Sequence, residues 1–504
     1  AELLGVTHQE NGMALGSTKS IAMLQAEAAD EGSHSLKRVL TVYNLTFLGI
    51  GAIIGAGIFV LTGHAAAENA GNAVVLSFGL AFFGCLFAGL CYAEFASVVP
   101  IAGSAYTYAY ATLGEFMAFF IGWNLVLEYM FGAATVGVGW AGYFSDFMAK
   151  IGIVLPKAFS QAPVAWSETL HRLVPVAGGI INLPAFLLVM LMTVVLVIGI
   201  KESARFNNFV VFIKLAIVVL VIGVGFFFVN AANWHPFIAP SSGTFGKFGL
   251  SGVVRGAAVV FFAYIGFDAV STAAQEAKNP QRDLPIAMLG SLVICTVLYV
   301  LMSLVLTGLA PYNQLDVPHP VAYALSHIPQ LGWLEIFVDI GAIAGLASVV
   351  LVMLLGQSRV FFSMSRDGLL PPALSRVHPK FRTPYVTTIL SGTVAAVISA
   401  IFPIDILGEL VSIGTLCAFT IVCAGVIVLR VKRPDLHRPF KTPFVPAVPL
   451  LGIGSCLGLM AFLPRATWIR LIVWMLVGFV VYFAYGRYHS KLATEREPSL
   501  APAD

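Results

Sequence analysis

A chain of 504 residues that is 59% hydrophobic and only 11% charged is not an ordinary soluble domain; its composition is that of a polytopic membrane protein. A formal net charge of +3 gives no reason to expect a nucleic-acid partner, and it bears on orientation only once the basic residues are placed on loops. The six cysteines, Cys85, Cys91, Cys295, Cys417, Cys423 and Cys456, lie in or beside apolar runs without a CxxC pair. They are expected to be small apolar packers, and no metal, cofactor or disulfide framework is expected.

Residues 1–35 are polar and lack the basic stretch and apolar core of a signal peptide, so a disordered cytoplasmic tail is expected there. Taking about 20 apolar residues per crossing, the remainder divides into twelve spans. These cover residues 40–65, 71–99, 117–148, 178–199, 207–230, 250–277, 285–310, 333–363, 386–403, 407–430, 445–463 and 468–486. An even number puts both termini on one side, and 20 of the 28 Lys and Arg residues then fall on that side, which makes it the cytoplasm. The expectation is an all-α, multi-pass protein of the cell membrane with a second short tail at 488–504.

Span one contains Gly49-Ile-Gly-Ala-Ile-Ile-Gly-Ala-Gly-Ile-Phe59, four glycines in a run that otherwise suits an unbroken helix. Each interior glycine costs a helix roughly 0.5–1 kcal/mol relative to alanine, so the cluster marks either a close helix contact or a place where the backbone opens. Opening is the reading adopted here. Freed backbone groups at that depth must line a protected polar cavity. Span six is interrupted too: in Phe261-Phe-Ala-Tyr-Ile-Gly-Phe-Asp268 an aspartate after a glycine reads as the N-cap of a second half-helix. Breaks in spans one and six fit a five-helix unit repeated in inverted orientation, residues 36–230 and 245–430, followed by two added helices over 445–487. Such repeats bind solute where the broken helices meet. The tyrosine-rich stretch from Pro100 to Gly114 suits either an inner-gate helix or an aromatic belt at the membrane surface.

Ionisable residues inside spans are functional candidates. Lys214 in span five either titrates as the cavity opens and closes, since desolvation disfavours its charged form, or snorkels to the cytoplasmic interface. Glu128 in span three either contacts a substrate's cationic end, joins a proton path or acts as a structural partner. Glu94 reads as structural, and Arg255 is expected to snorkel outward. Met353 in span eight is, as a bare pattern, core filler.

The Gly49–Phe59 run and Tyr92-Ala-Glu-Phe-Ala96 with Pro100 to Tyr110 resemble the amino acid-polyamine-organocation (APC) superfamily, and Phe261 to Pro285 and Gly356 to Pro372, with its Ser-Arg-Asp-Gly-Leu-Leu-Pro-Pro stretch, resemble the bacterial branch of its cationic amino acid transporter family. The resemblance extends over roughly residues 36–490. The resemblance implies the inverted five-plus-five APC fold, with the substrate carboxylate on the amides of Gly55, Ala56 and Gly57. It implies an α-ammonium on the carbonyls of Ile53, Phe262, Ala263 and Ile265. Many members carry Ser or Thr where this chain has Ala56, which removes a hydroxyl contact worth about 0.5–1.5 kcal/mol. By the same resemblance Lys214 stands where sodium-driven relatives bind an ion, implying proton coupling, and Met353 faces the side-chain end of the pocket, favouring small substrates such as alanine over arginine. The expected function is therefore proton-coupled amino acid uptake without enzymatic activity, by a monomer or with a small single-helix subunit. An exchanger, a sodium symporter and a non-transporting sensor are the alternatives.

Overall fold

The computed structural model describes residues 40–99, 104–167, 172–199, 203–381 and 383–491, with the side chains of 203–207 and 275 left out. The expected 1–35 tail, the start of the tyrosine-rich stretch at 100–103 and most of the 488–504 tail lie outside these residues. Eight helices among the described residues are long and apolar enough to cross a bilayer. Three shorter apolar helices, Leu183–Ile198, Tyr385–Ile401 and Ala447–Ala461, fall where the sequence places spans four, nine and eleven. One of the eight, Val42–Val98, runs for 57 residues, well beyond the roughly 20 that a single crossing needs. Gly71, at a φ of 61°, interrupts it.

The helices sort their side chains by environment. Along Leu183–Ile198, Ala185, Val189 and Thr193 face inward, while Leu187, Leu191, Val194 and Ile198 are exposed. A continuous apolar exterior of this kind would be a liability in water and is the surface a hydrocarbon phase requires. Inside, Pro280–Leu309 packs against both Val42–Ile53 and Val74–Val98, and Gly332–Arg366 packs against Gly132–Lys150. The purely helical expectation needs one addition. Val164–Ser167 and Arg172–Pro175 form an antiparallel hairpin in register Val164 to Pro175, and Arg470 lies over the Trp166 ring at 4.8 Å, tying it to the last long helix.

Buried charges away from the centre act as clamps. The fully buried Glu94 accepts two 2.8 Å bonds from Arg430 and one from the Thr442 amide, also at 2.8 Å, which anchors the 433–446 connection. Arg255 does not snorkel freely: it donates to Phe462 O at 2.7 Å and to Glu409 at 2.9 Å. In the tyrosine-rich stretch, Ser104–Thr112 is a helix whose Tyr106, Tyr108 and Tyr110 are buried. These are not the rings of a surface belt. Tyr106 donates to Asp367 at 2.6 Å, and Glu115 accepts from Tyr110, Tyr482 and Ser490.

Candidate functional site at two interrupted helices

The first break follows from local signals. Thr41 caps the helix Val42–Ile53 in a capping box with Asn44, and the helix runs through Gly49 and Gly51. The glycine cluster is therefore not all opening, since the chain leaves the helix only at Ile54, with ψ at 95°, and Gly55. Helical structure resumes through Gly57–Leu61 and Thr62–Ala65. Among the described residues no acceptor pairs with the amides of Gly55, Ala56 or Gly57, although all three residues are buried. Such groups are costly to leave unmade, so this short stretch presents hydrogen-bond donors without protein acceptors at a half-helix N-terminus.

The second break is longer. Gly249–Val260 tightens into Phe261–Tyr264 with three residues per turn, Ile265 is extended, and Gly266 has a φ of 113° that only glycine adopts readily. A β-carbon on Gly266 would lie 2.9 Å from the Ala52 side chain. The two breaks touch directly: a β-carbon on Gly57 would stand 2.2 Å from that of Ala263. The half-helix expected from Asp268 exists only as the single turn Ala269–Thr272, and Asp268 does not cap it. Its carboxylate turns instead to the hydroxyls of Tyr129 at 2.8 Å and Ser104 at 3.2 Å, while its second oxygen has no partner. The aspartate thus links the break to the Ser104–Thr112 helix, because two hydroxyl donors outcompete the weak pull of one helical turn.

Lys214 is fully buried and donates to Gly51 O at 2.6 Å and Ile54 O at 2.9 Å. This geometry rules out the snorkelling alternative. The ammonium instead satisfies carbonyls left over where Val42–Ile53 ends, at the negative end of its dipole. The next carbonyl at the break, Ile53 O, accepts from Tyr299 at 2.7 Å, and the same hydroxyl stands 2.7 Å from Ala263 O. One hydroxyl carries one proton, so only one of these carbonyls is served at a time. Of the other carbonyls expected to hold the ammonium, Phe262 O accepts the Ile265 amide at 3.1 Å, and Ile265 O has no donor among the described residues.

Glu128 lies in a stretch of wider turn, Leu127–Phe131, the kind of local helix expansion that often accompanies functional sites. It is fully buried beside Asp268 and Thr415, yet neither carboxylate oxygen makes a well-formed hydrogen bond. Met353 is buried with its sulfur 3.7 Å from where a β-carbon on Gly132 would be. One turn earlier, Val349 packs against Gly55. The structure thus brings Ile53, Gly55, Ala56, Gly57, Phe262, Ala263, Ile265 and Lys214 around one junction, with Glu128 and Met353 on the flanking helices. Sequence reasoning missed Tyr299 and Tyr129. The available signal was a lone phenol within an apolar span, in Cys295-Thr-Val-Leu-Tyr299 and in Leu127-Glu-Tyr129, where an unpaired hydroxyl would be costly.

The fold and this junction define a multi-pass helical membrane protein with a polar centre built largely from backbone. A family model described as amino acid permease matches residues 40–482. The branched-chain amino acid permease BcaP of Bacillus subtilis is 51% identical over 466 residues, 92% of this chain and 96% of that one. The methylthioribose transporter of the same organism is 46% identical over 469 residues, 93% and 98% of the two chains. Cationic amino acid transporter 4 of Homo sapiens is 30% identical over 586 residues, 92% and 90%. The chain belongs to the amino acid permease family of the APC superfamily. Its relatives are permeases and transporters, and it is a transport protein rather than an enzyme.

Proposed function

We propose that this chain is a secondary active transporter that carries L-amino acids across the cell membrane by alternating access and is coupled to protons. The observation that supports this best is the juxtaposition of opposite backbone poles. Unpaired amides of Gly55, Ala56 and Gly57 lie on one side, and on the other are the carbonyls of Ile53, Phe262, Ala263 and Ile265, with one hydroxyl proton shared between Ile53 O and Ala263 O. An amino acid zwitterion matches both poles. Its carboxylate suits the amides at the half-helix N-terminus, and its ammonium can donate to whichever carbonyl Tyr299 leaves unserved.

The twelve apolar segments are read as twelve crossings, 36–230 and 245–430 as the inverted five-helix units, and 445–487 as two added helices. The distribution of Lys and Arg supports cytoplasmic tails at 1–35 and 488–504. In the cycle, protonated Lys214 holds Gly51 O and Ile54 O by charge-assisted bonds and keeps the break shaped for the carboxylate. Loss of its proton toward the cytoplasm weakens both bonds and frees Val42–Ile53 to move, releasing substrate inward.

For the side-chain end, Met353 against Gly132, with Val349 one turn away, supports neutral substrates of small to medium size, and the branched-chain label of the 51% identical relative agrees with that apolar lining. A second reading, cationic substrates, is favoured by Glu128 and Asp268, which lie side by side with no cation bonded to either among the described residues. Competition between labelled alanine and arginine in proteoliposomes decides between them. With Met353→Ser, arginine uptake is expected to gain roughly tenfold relative to alanine, the scale of a few methylenes of pocket length; an unchanged ratio removes Met353 from the pocket. Uptake with and without a pH gradient, and with sodium removed, separates proton symport from exchange and sodium symport.

A further inference from the structure

We infer that His64 is the lock of the outer gate, a histidine clamp that holds the extracellular side closed while its ring is protonated. The residue sits on the outer half of the first span, in Thr62–Ala65. Its Nδ1 lies 2.9 Å from Asp316 in the connection after Pro280–Leu309, and its Nε2 lies 3.8 Å from Asp405 in the first turn of Ile404–Lys432. Both ring nitrogens therefore face carboxylate oxygens. Neutral imidazole has one N–H, so it must turn a lone pair toward one of them; imidazolium presents an N–H to each, as a hydrogen bond at Asp316 and, at 3.8 Å, as a charge contact at Asp405. Two carboxylates facing one ring favour its charged form.

What the clamp joins gives it its consequence. Through His64 the clamp joins half-helix one, the 311–319 connection and the start of Ile404–Lys432. Val60, one turn below His64, packs beside Ile404 and Gly139. The remaining charges nearby are accounted for: Glu68, a turn further along, pairs with Lys247 at 3.3 Å, and Glu409, a turn beyond Asp405, pairs with Arg255 at 2.9 Å. Asp316 and Asp405 are thus the carboxylates left to His64. His64 also holds the Asp316 carboxyl below the usual carboxylate range, so Asp316 stays ionised well into mild acid, and the pair is lost on the alkaline side, when the ring gives up its proton. Outside acidity favours closure and outside alkalinity favours opening. Because His64 lies on the same half-helix that carries the carboxylate amides, protonation at the surface is linked to the shape of the site through one rigid element.

The inference rests on alternating access but not on the substrate or on Lys214, and its test reads the gate alone. A cysteine at Val60 is labelled from outside with a membrane-impermeant maleimide, with native His64 and with His64→Gln, and the unmodified chain serves as control. The ratio of the two rates at each pH cancels the thiol's own ionisation. Asp316 is 52% exposed and solvent screens the pair, so the expected gain for His64→Gln is about two- to fivefold at pH 6, falling to about half of that by pH 9. Asp316→Asn, at a half-exposed position, is expected to give the same pattern. A ratio of one at both pH values, or a gain that does not change with pH, overturns the lock.

Discussion

Replacing Lys214 with alanine is expected to abolish accumulation driven by a proton gradient. Two effects combine in that variant. The titrating group is gone, and Gly51 O and Ile54 O lose their donor in a buried setting, at about 1–3 kcal/mol for each carbonyl left unpaired. Lys214→Gln separates the two effects. Its amide can still donate two hydrogens toward the break but carries no charge at any pH, so the protein is expected to fold and to exchange labelled for unlabelled amino acid across the membrane without concentrating it. Concentrative uptake by Lys214→Gln under a pH gradient would remove Lys214 from the coupling and leave it as a helix-end cap.

Gly57→Ala is expected to reduce uptake to background. The added methyl would stand 2.2 Å from the Ala263 β-carbon and 2.3 Å from its α-carbon, far inside van der Waals contact, and one of those partners is backbone. The two breaks must move apart, and a shift of about 1 Å in a positioned group can cost on the order of a hundredfold in rate. Thermal unfolding in detergent is expected to show a smaller penalty, about 1–3 kcal/mol, as for other overpacked sites. Near-normal transport by this variant would mean that the contact between the breaks is not where substrate is held.

Much of this arrangement is legible in the sequence because its causes are local. A run of glycines at Gly55 and Gly57 and a Gly-Phe-Asp at 266–268 are irregularities that an unbroken apolar helix has no use for, and both breaks occur there. Asp268 shows where local reading stops. Glycine followed by aspartate is an N-cap signal, but the carboxylate goes to Tyr129 and Ser104, donors more than a hundred residues away in sequence. The widened turn around Glu128 has no sequence signature, since it depends on how the helix packs against Gly414 and Thr415 of a distant span. Tyr299 escaped notice for a similar reason: a lone phenol among aliphatic residues gains meaning only once the carbonyls of Ile53 and Ala263 are seen to converge on it. His64, at the end of span one, carries no signal of its own in the sequence; it gains meaning only from Asp316 and Asp405, the former 252 residues away, which face its two nitrogens.

Charges that anchor connections, such as Glu94 with Arg430 and Arg255 with Glu409, are paired. Buried groups with spare hydrogen-bonding capacity also occur elsewhere, at Asn72, Asp339 and Gln357 for example, but one set of them, the amides at 55–57, Ile265 O, Asp268 and Glu128, lies at the centre. Buried polar groups are normally partnered, and a concentration of unpartnered ones around two helix ends is the physical basis for expecting a solute there.

The most direct measurement is an experimental structure with a labelled small neutral amino acid bound. The account requires its carboxylate within hydrogen-bonding distance of the Gly55, Ala56 and Gly57 amides, with its ammonium against the carbonyls at Ile53 and Ala263. Density for the amino acid away from both breaks, with those three amides paired to protein acceptors, would contradict it.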